Sequence, residues 1–289
     1  MIGKIKRLNF SELFFLILLS LIINSVVFSN LFILNIFLTF FFISLFSTKF
    51  GLKIIKQLNL LQNIRKDGPL IHTTKNKTPT MGGIFIILPF LLLLLFISYK
   101  FDSVEILSLF FCTSSFFIVG FLDDYLSITN KKNTGLKVKE KFLLQALISI
   151  LFILFLFQSN YISPFITKHN SGNINADTII LSLCFITLVG LSNAVNLTDG
   201  LDGLAAGCSS IVFYGLGTEI FIKGEKELII YGLICYAMSG LCMGFLKFNK
   251  YPAKIFMGDT GSLTIGAILG SISILTNSFF TLFIISGIF

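Results

Sequence analysis

Tryptophan is absent, histidine occurs only twice, and charged residues make up just 12% of the 289 positions. Each scarcity removes a class of function. His72 and His169 stand alone in polar stretches, so no histidine cluster offers itself for a metal or a nucleophile. The five cysteines, Cys112, Cys184, Cys208, Cys235 and Cys242, sit in or beside apolar segments without C-x-x-C or Cys/His ligand spacing. That pattern supports neither a zinc site nor a disulfide framework. There is no P-loop and no kinase motif set, which removes ATP hydrolysis. With 55% hydrophobic residues and a mean hydropathy of +0.91, a soluble domain would expose large apolar patches and aggregate.

What is present is a succession of apolar runs long enough to cross a bilayer, each span needing about 20 residues. The first, Leu13 to Thr48, is uncharged and too long for one span. It is either a helical hairpin with its tip at Ser29-Asn30 or one long tilted helix. It is also too long for a signal peptide and lacks a small-residue cleavage site. Further spans are expected at about 84–99, 105–122, 142–159, 177–192, 204–222, 228–246 and 262–276. An apolar stub, 279–289, follows. The expected fold is therefore all-α: a polytopic transmembrane helix bundle of about 8–9 complete spans plus a truncated last helix, forming one membrane-embedded domain over 1–289.

The net charge of +8 could suggest nucleic acid, but the distribution of the cations argues against such a partner. With the N-terminus inside, segments 1–12, 49–80, 123–141, 193–203 and 247–260 hold 18 of the 22 Lys and Arg. This is the positive-inside pattern of a multi-pass membrane protein. It also gathers every unusual polar motif on the cytoplasmic face, so loops 49–80, 123–141, 193–203 and 247–260 are expected to form one active site.

Asn193-Ala194-Val195-Asn196-Leu197-Thr198-Asp199-Gly200-Leu201-Asp202-Gly203 is an island of amide, hydroxyl, carboxylate and glycine between two such spans. One capping aspartate would be ordinary. Two Asn, two Asp and two Gly together at a membrane edge, where each charge is costly, point to function. A helix beginning near Thr198 would put Asp199 and Asp202 on one face, and Asn193 and Asn196 repeat the spacing. Asp123 and Asp124 meet the cytoplasm where an apolar helix should end. There a negative charge opposes the helix dipole, and adjacent side chains diverge by about 100°. One carboxylate can hold a metal while its neighbour accepts a proton. Phe256-Met257-Gly258-Asp259-Thr260-Gly261-Ser262 reads as a glycine-bracketed turn into a helix whose first N–H groups suit phosphate, with Asp259 placed for a cation. Plain N-capping by Asp259 or Ser262 is the alternative. Most of the basic residues read as a solvated positive face. Together, carboxylates, lysines and glycine turns on one face imply metal-dependent phosphoryl chemistry at a membrane, with a lipid as one substrate.

Thr78-Pro79-Thr80-Met81-Gly82-Gly83, Asp123-Asp124-Tyr125, the Asn193–Gly203 island and Phe256-Met257-Gly258-Asp259 occur in that order. The set resembles the bacterial phospho-N-acetylmuramoyl-pentapeptide-transferases, within the polyprenyl-phosphate N-acetylhexosamine-1-phosphate transferase superfamily, from about Arg65 onward. The resemblance implies transfer of phospho-MurNAc-pentapeptide from UDP-MurNAc-pentapeptide to undecaprenyl phosphate, with Mg²⁺, in a membrane-lipid setting that allows a homodimer. It further implies Asp123 as the base on the lipid phosphate, Asp124 beside it, and Asp259 as the Mg²⁺ ligand. Asn193, Asn196, Asp199 and Asp202 would line the nucleotide and pyrophosphate site, with Asp199 nearest uridine. Phe256 would stack on uracil near Asn249, Lys75 and Thr80, and Lys139 would contact phosphate. Two departures stand out. Ser127 occupies a position where many members carry a basic residue, and the chain stops at Phe289, before the family's histidine-rich loop and final span. A sister transferase using UDP-GlcNAc, or an inactive truncated remnant, are the competing expectations. Transport fits less well, because transporters place ionisable residues near the midplane rather than at one face.

Overall fold

The computed structural model describes residues 10–27, 32–58, 78–130, 135–159 and 174–289. The described residues are helical, with no strand among them. The helices are α1 (Phe10–Val27), α2 (Phe32–Gln57), α3 (Ile84–Phe101), α4 (Val104–Thr129), α5 (Val138–Gln158), α6 (Ile174–Thr198), α7 (Leu204–Lys223), α8 (Ile229–Asn249), α9 (Asp259–Leu275) and α10 (Phe279–Ile285). Seven of them, α2 to α8, are long and apolar enough to cross a membrane, so this is a multi-pass membrane protein. Shorter α1, α9 and α10 complete the expected pattern of about 8–9 spans plus a short last helix. The first apolar run is two helices: Phe14 of α1 stacks on Phe41 of α2 with ring centroids 4.8 Å apart. The tip at Ser29-Asn30 lies outside the described residues.

Two helices are enclosed by the rest. α8 packs against α2 and α7, while α9 packs against α4 and α6. Without a hydrophobic drive between helices in lipid, close association depends on small residues that let backbones approach. On α8, a Cβ added at Gly240 or Gly244 would lie 2.4 Å and 2.5 Å from the Phe37 and Phe41 carbonyl oxygens. Every residue of α9 from Thr260 to Leu275 is buried, which is why its sequence carries no charge after Asp259.

Helix ends differ from the expected ones where tertiary partners absorb charge. α4 continues to Thr129 rather than stopping near 122, because the carboxylates of Asp123 and Asp124 both find N–H donors on neighbouring segments. α5 starts at Val138, its first turn closed by the Lys137 N–H donating to Glu140 Oε2 at 3.1 Å. α6 runs through Asn193 and Asn196 to Thr198. Asp199 to Gly203 is then a turn, ended by Gly203 at φ 80°. The expected helix start near Thr198 is thus a helix end, and Asp199 and Asp202 do not share a helical face. The loops expected at 49–80, 123–141, 193–203 and 247–260 are correspondingly shorter, since helices run to Gln57, Thr129, Thr198 and Asn249.

Candidate active site

Four sequence-distant segments meet around the first turn of α9. Pro79 to Gly83 pairs with the chain entering that helix: Phe256 N–H donates to Pro79 O at 2.8 Å, Gly82 N–H to Phe256 O at 2.9 Å, and Gly83 N–H to Met257 O at 2.8 Å. Asp124 reaches in from α4. Its Oδ1 accepts the Asp259 N–H at 3.1 Å, and its Oδ2 accepts the Thr260 N–H at 2.9 Å and the Thr260 hydroxyl at 2.5 Å. These are the orphan donors of a helix start, and a carboxylate there also complements the dipole. The expectation that these N–H groups would hold phosphate is thereby corrected: Asp124 already occupies them. Gly258 makes the approach possible, with φ 73° and an imagined Cβ only 2.4 Å from Asp124 Oδ2.

Asp123, on the next position of α4, turns toward the start of α5. Its Oδ1 accepts the Leu136 N–H at 3.0 Å, and its carboxylate lies within hydrogen-bonding reach of Asp259. Asp259 forms an ion pair with Lys141 of α5. Lys139, the lysine expected at phosphate, is exposed two residues earlier and projects from another side of α5. Of these two lysines, Lys141 is the one at the carboxylates. Helical phase carries that signal: Lys141 is one turn before the buried Gln145, whereas Lys139 is not.

The island residues divide. Asn193 donates through Nδ2 to Gln145 Oε1 at 2.6 Å and to Val189 O at 2.8 Å. Asp202 Oδ2 accepts the Ala253 N–H at 3.0 Å. Asn249, only 2% exposed, accepts the Gly203 N–H at 3.1 Å and donates to Ile255 O at 2.9 Å. Asn193 thus ties α6 to α5, while Asp202 and Asn249 fix the 199–203 turn and the end of α8 to the 250–258 loop. Asn196 is partly buried one turn after Asn193. Asp199 lies at the turn beside the α9 start. Burial, then the neighbouring Asp259 and Asp124 charges, push its carboxyl well above the ordinary range, while the Gly258 N–H pulls the other way. Thr80 is buried at 5% exposure. Phe256 is partly exposed. Lys75 lies outside the described residues.

Oxygens of Asp123, Asp124 and Asp259 fall within 4.8 Å of one another. This donor set fits a hard divalent cation, which takes carboxylate oxygens and keeps positions open for substrate phosphate. Backbone packing enforces it: a Cβ at Gly135 would lie 2.2 Å from the Asp123 carbonyl oxygen and 2.8 Å from its Cγ. Thr260, Lys141 and the glycines that let these carboxylates approach were not singled out as site residues by sequence reasoning. An apolar groove of about 430 Å³ between α4 and α5, lined by Val104, Leu107, Phe111 and Phe155 among others, carries no carboxylate or amine and is separate from this cluster.

Residues 106–277 match the model of glycosyl transferase family 4, and residues 75–87 match signature 1 of phospho-N-acetylmuramoyl-pentapeptide-transferase. Among relatives, the phospho-N-acetylmuramoyl-pentapeptide-transferase of Prochlorococcus marinus subsp. pastoris is 73% identical over all of this chain and 80% of its own length. The protein of the same name from Prochlorococcus marinus strain MIT 9515 is 71% identical over the same shares. That of a Synechococcus is 40% identical over 84% of this chain and 66% of its own.

Proposed function

We propose that this chain, which belongs to the phospho-N-acetylmuramoyl-pentapeptide-transferases of glycosyl transferase family 4, moves phospho-MurNAc-pentapeptide from UDP to undecaprenyl phosphate, releasing UMP. The reading treats residues 1–289 as one domain in the bacterial plasma membrane with the carboxylate cleft facing the cytoplasm. The observation that carries it is the convergence of Asp123, Asp124 and Asp259 at the first turn of α9.

In this reading a lipid-phosphate oxygen forms a bond to the β-phosphorus of the sugar nucleotide, and the bond from that phosphorus to the bridging oxygen of UMP breaks. Phosphoryl transfer of this kind needs positioning and charge stabilisation more than covalent help. A bound Mg²⁺, held by Asp259 with Asp123 and Asp124, would supply charge neutralisation on the diphosphate. Asp123, at the cleft edge, takes the proton from the lipid phosphate. Asp124 fixes the direction of Asp259 by anchoring the α9 start. Asp199, Asn196 and Phe256 face the nucleotide, with Thr80 of the Thr78–Gly83 segment beside them; Lys75 is a substrate contact on the family resemblance alone. Asn193, Asp202 and Asn249 hold that wall in shape, and Lys139, exposed on α5, contacts phosphate.

The test is UMP release by purified protein with undecaprenyl phosphate, Mg²⁺ and one UDP-sugar at a time. Release with UDP-MurNAc-pentapeptide and not with UDP-GlcNAc is expected. The reverse preference would replace this reading by the sister transferase, and no release with either would support an inactive chain.

A further inference from the structure

Lys141 has a role that neither the motifs nor the family names assign. Its ammonium is paired with Asp259, and its charge is felt at Asp123 as well. Among the described residues, it is the one cation in an ion pair with this cluster of carboxylates. Both partners of the pair are shielded, the lysine side chain 18% and the aspartate 21% exposed. A lysine ammonium is a compact point charge on a flexible four-carbon stem. The Asp259 oxygen it holds belongs to the same set that fits a divalent ion. A unit charge and a doubly charged ion cannot share that space in a partly desolvated site without strong repulsion.

Resting on the metal reading above, we propose that Lys141 is a tethered stand-in for the divalent cation. Metal loading displaces its ammonium from Asp259 toward the phosphates of the incoming nucleotide. The exchange keeps the empty cluster from carrying unbalanced negative charge and delivers a second cation to the diphosphate only once the metal is in place. The stem is long enough for the head group to move while α5 stays fixed by the Asn193–Gln145 bond one turn further along.

The experiment measures Mn²⁺ binding to the full chain in nanodiscs, without nucleotide, from the electron paramagnetic resonance signal of free Mn²⁺. Lys141→Met removes the competing charge and should bind at least about tenfold more tightly than the parent. Lys141→Arg, which keeps the charge, should stay within about threefold of it. Thermal unfolding without metal should show Lys141→Met destabilised, with Mn²⁺ restoring it by more than it raises the parent. In a second arm, Mn²⁺ should tighten UDP binding to the parent and do so less for Lys141→Met. Equal or weaker Mn²⁺ binding by Lys141→Met overturns the stand-in role. An undiminished gain in UDP affinity overturns the delivery to phosphate. If Asp259→Asn binds Mn²⁺ like the parent, the metal site itself is misplaced, a failure distinct from the other two.

Discussion

The two ends of α9 use the same chemical groups in opposite ways. At the far end, Lys223 of α7 pairs with Glu219 at 2.9 Å and donates to Thr276 O at 2.8 Å, Asn277 O at 3.1 Å and Ser278 Oγ at 2.8 Å. The Ser278 hydroxyl also lies 2.8 Å from Glu219 Oε2. One cation meets one anion, and the remaining donors meet the acceptors of the α9–α10 turn. At the near end, Asp123, Asp124, Asp259 and the neighbouring Asp199 gather with, among the described residues, one ion-paired ammonium, that of Lys141 on Asp259. Balanced polar groups in a membrane protein tie helices together. Like charges gathered without balance are costly, and they persist where a ligand supplies the missing charge.

That contrast can be broken from either side. The largest expected effect is Asp259→Asn, which should cut UMP release by at least about 10²-fold while leaving the melting temperature unchanged or higher, because it relieves repulsion. Turnover and thermal unfolding on one preparation decide it, and near-normal turnover would remove Asp259 from the site. Next is Lys223→Met at the far end, which takes the ammonium from Glu219 and the turn carbonyls and should cost about 2 kcal/mol of stability. Its turnover per folded molecule should stay close to the parent's; a large loss of turnover in fully folded protein would erase the difference between the ends. Smallest is Thr260→Val, which deletes one hydrogen bond to Asp124. It should cost about 1 kcal/mol, seen as a modest fall in melting temperature and a few-fold fall in turnover.

The all-helical membrane architecture was legible because spans are written as long apolar runs. The clustering of the four motifs at one end follows from the same alternation of loops. Harder to read were features set by contacts between segments. α4 continues through Asp123 and Asp124 because Leu136, Asp259 and Thr260 donate to them, partners that lie up to 136 positions away. Asn193, Asp202 and Asn249 look from sequence like substrate ligands, since amides and carboxylates serve either role. Only the positions of Gln145, Ala253 and Ile255 show that they are tied into the fold. Lys139 and Lys141 are equivalent by composition, and the phase of α5 separates them.

The relation between unbalanced carboxylate and catalysis is tested most directly by titrating Mg²⁺ into purified chain with UDP-MurNAc-pentapeptide and undecaprenyl phosphate. The measurement follows UMP release for the parent and for Asp259→Asn. The parent should rise saturably by at least about 10²-fold over its metal-free rate, and Asp259→Asn should stay flat at every concentration. Release by the parent that ignores Mg²⁺, or recovery of Asp259→Asn to the parent's rate at high Mg²⁺, would contradict a metal-dependent transfer site at the start of α9.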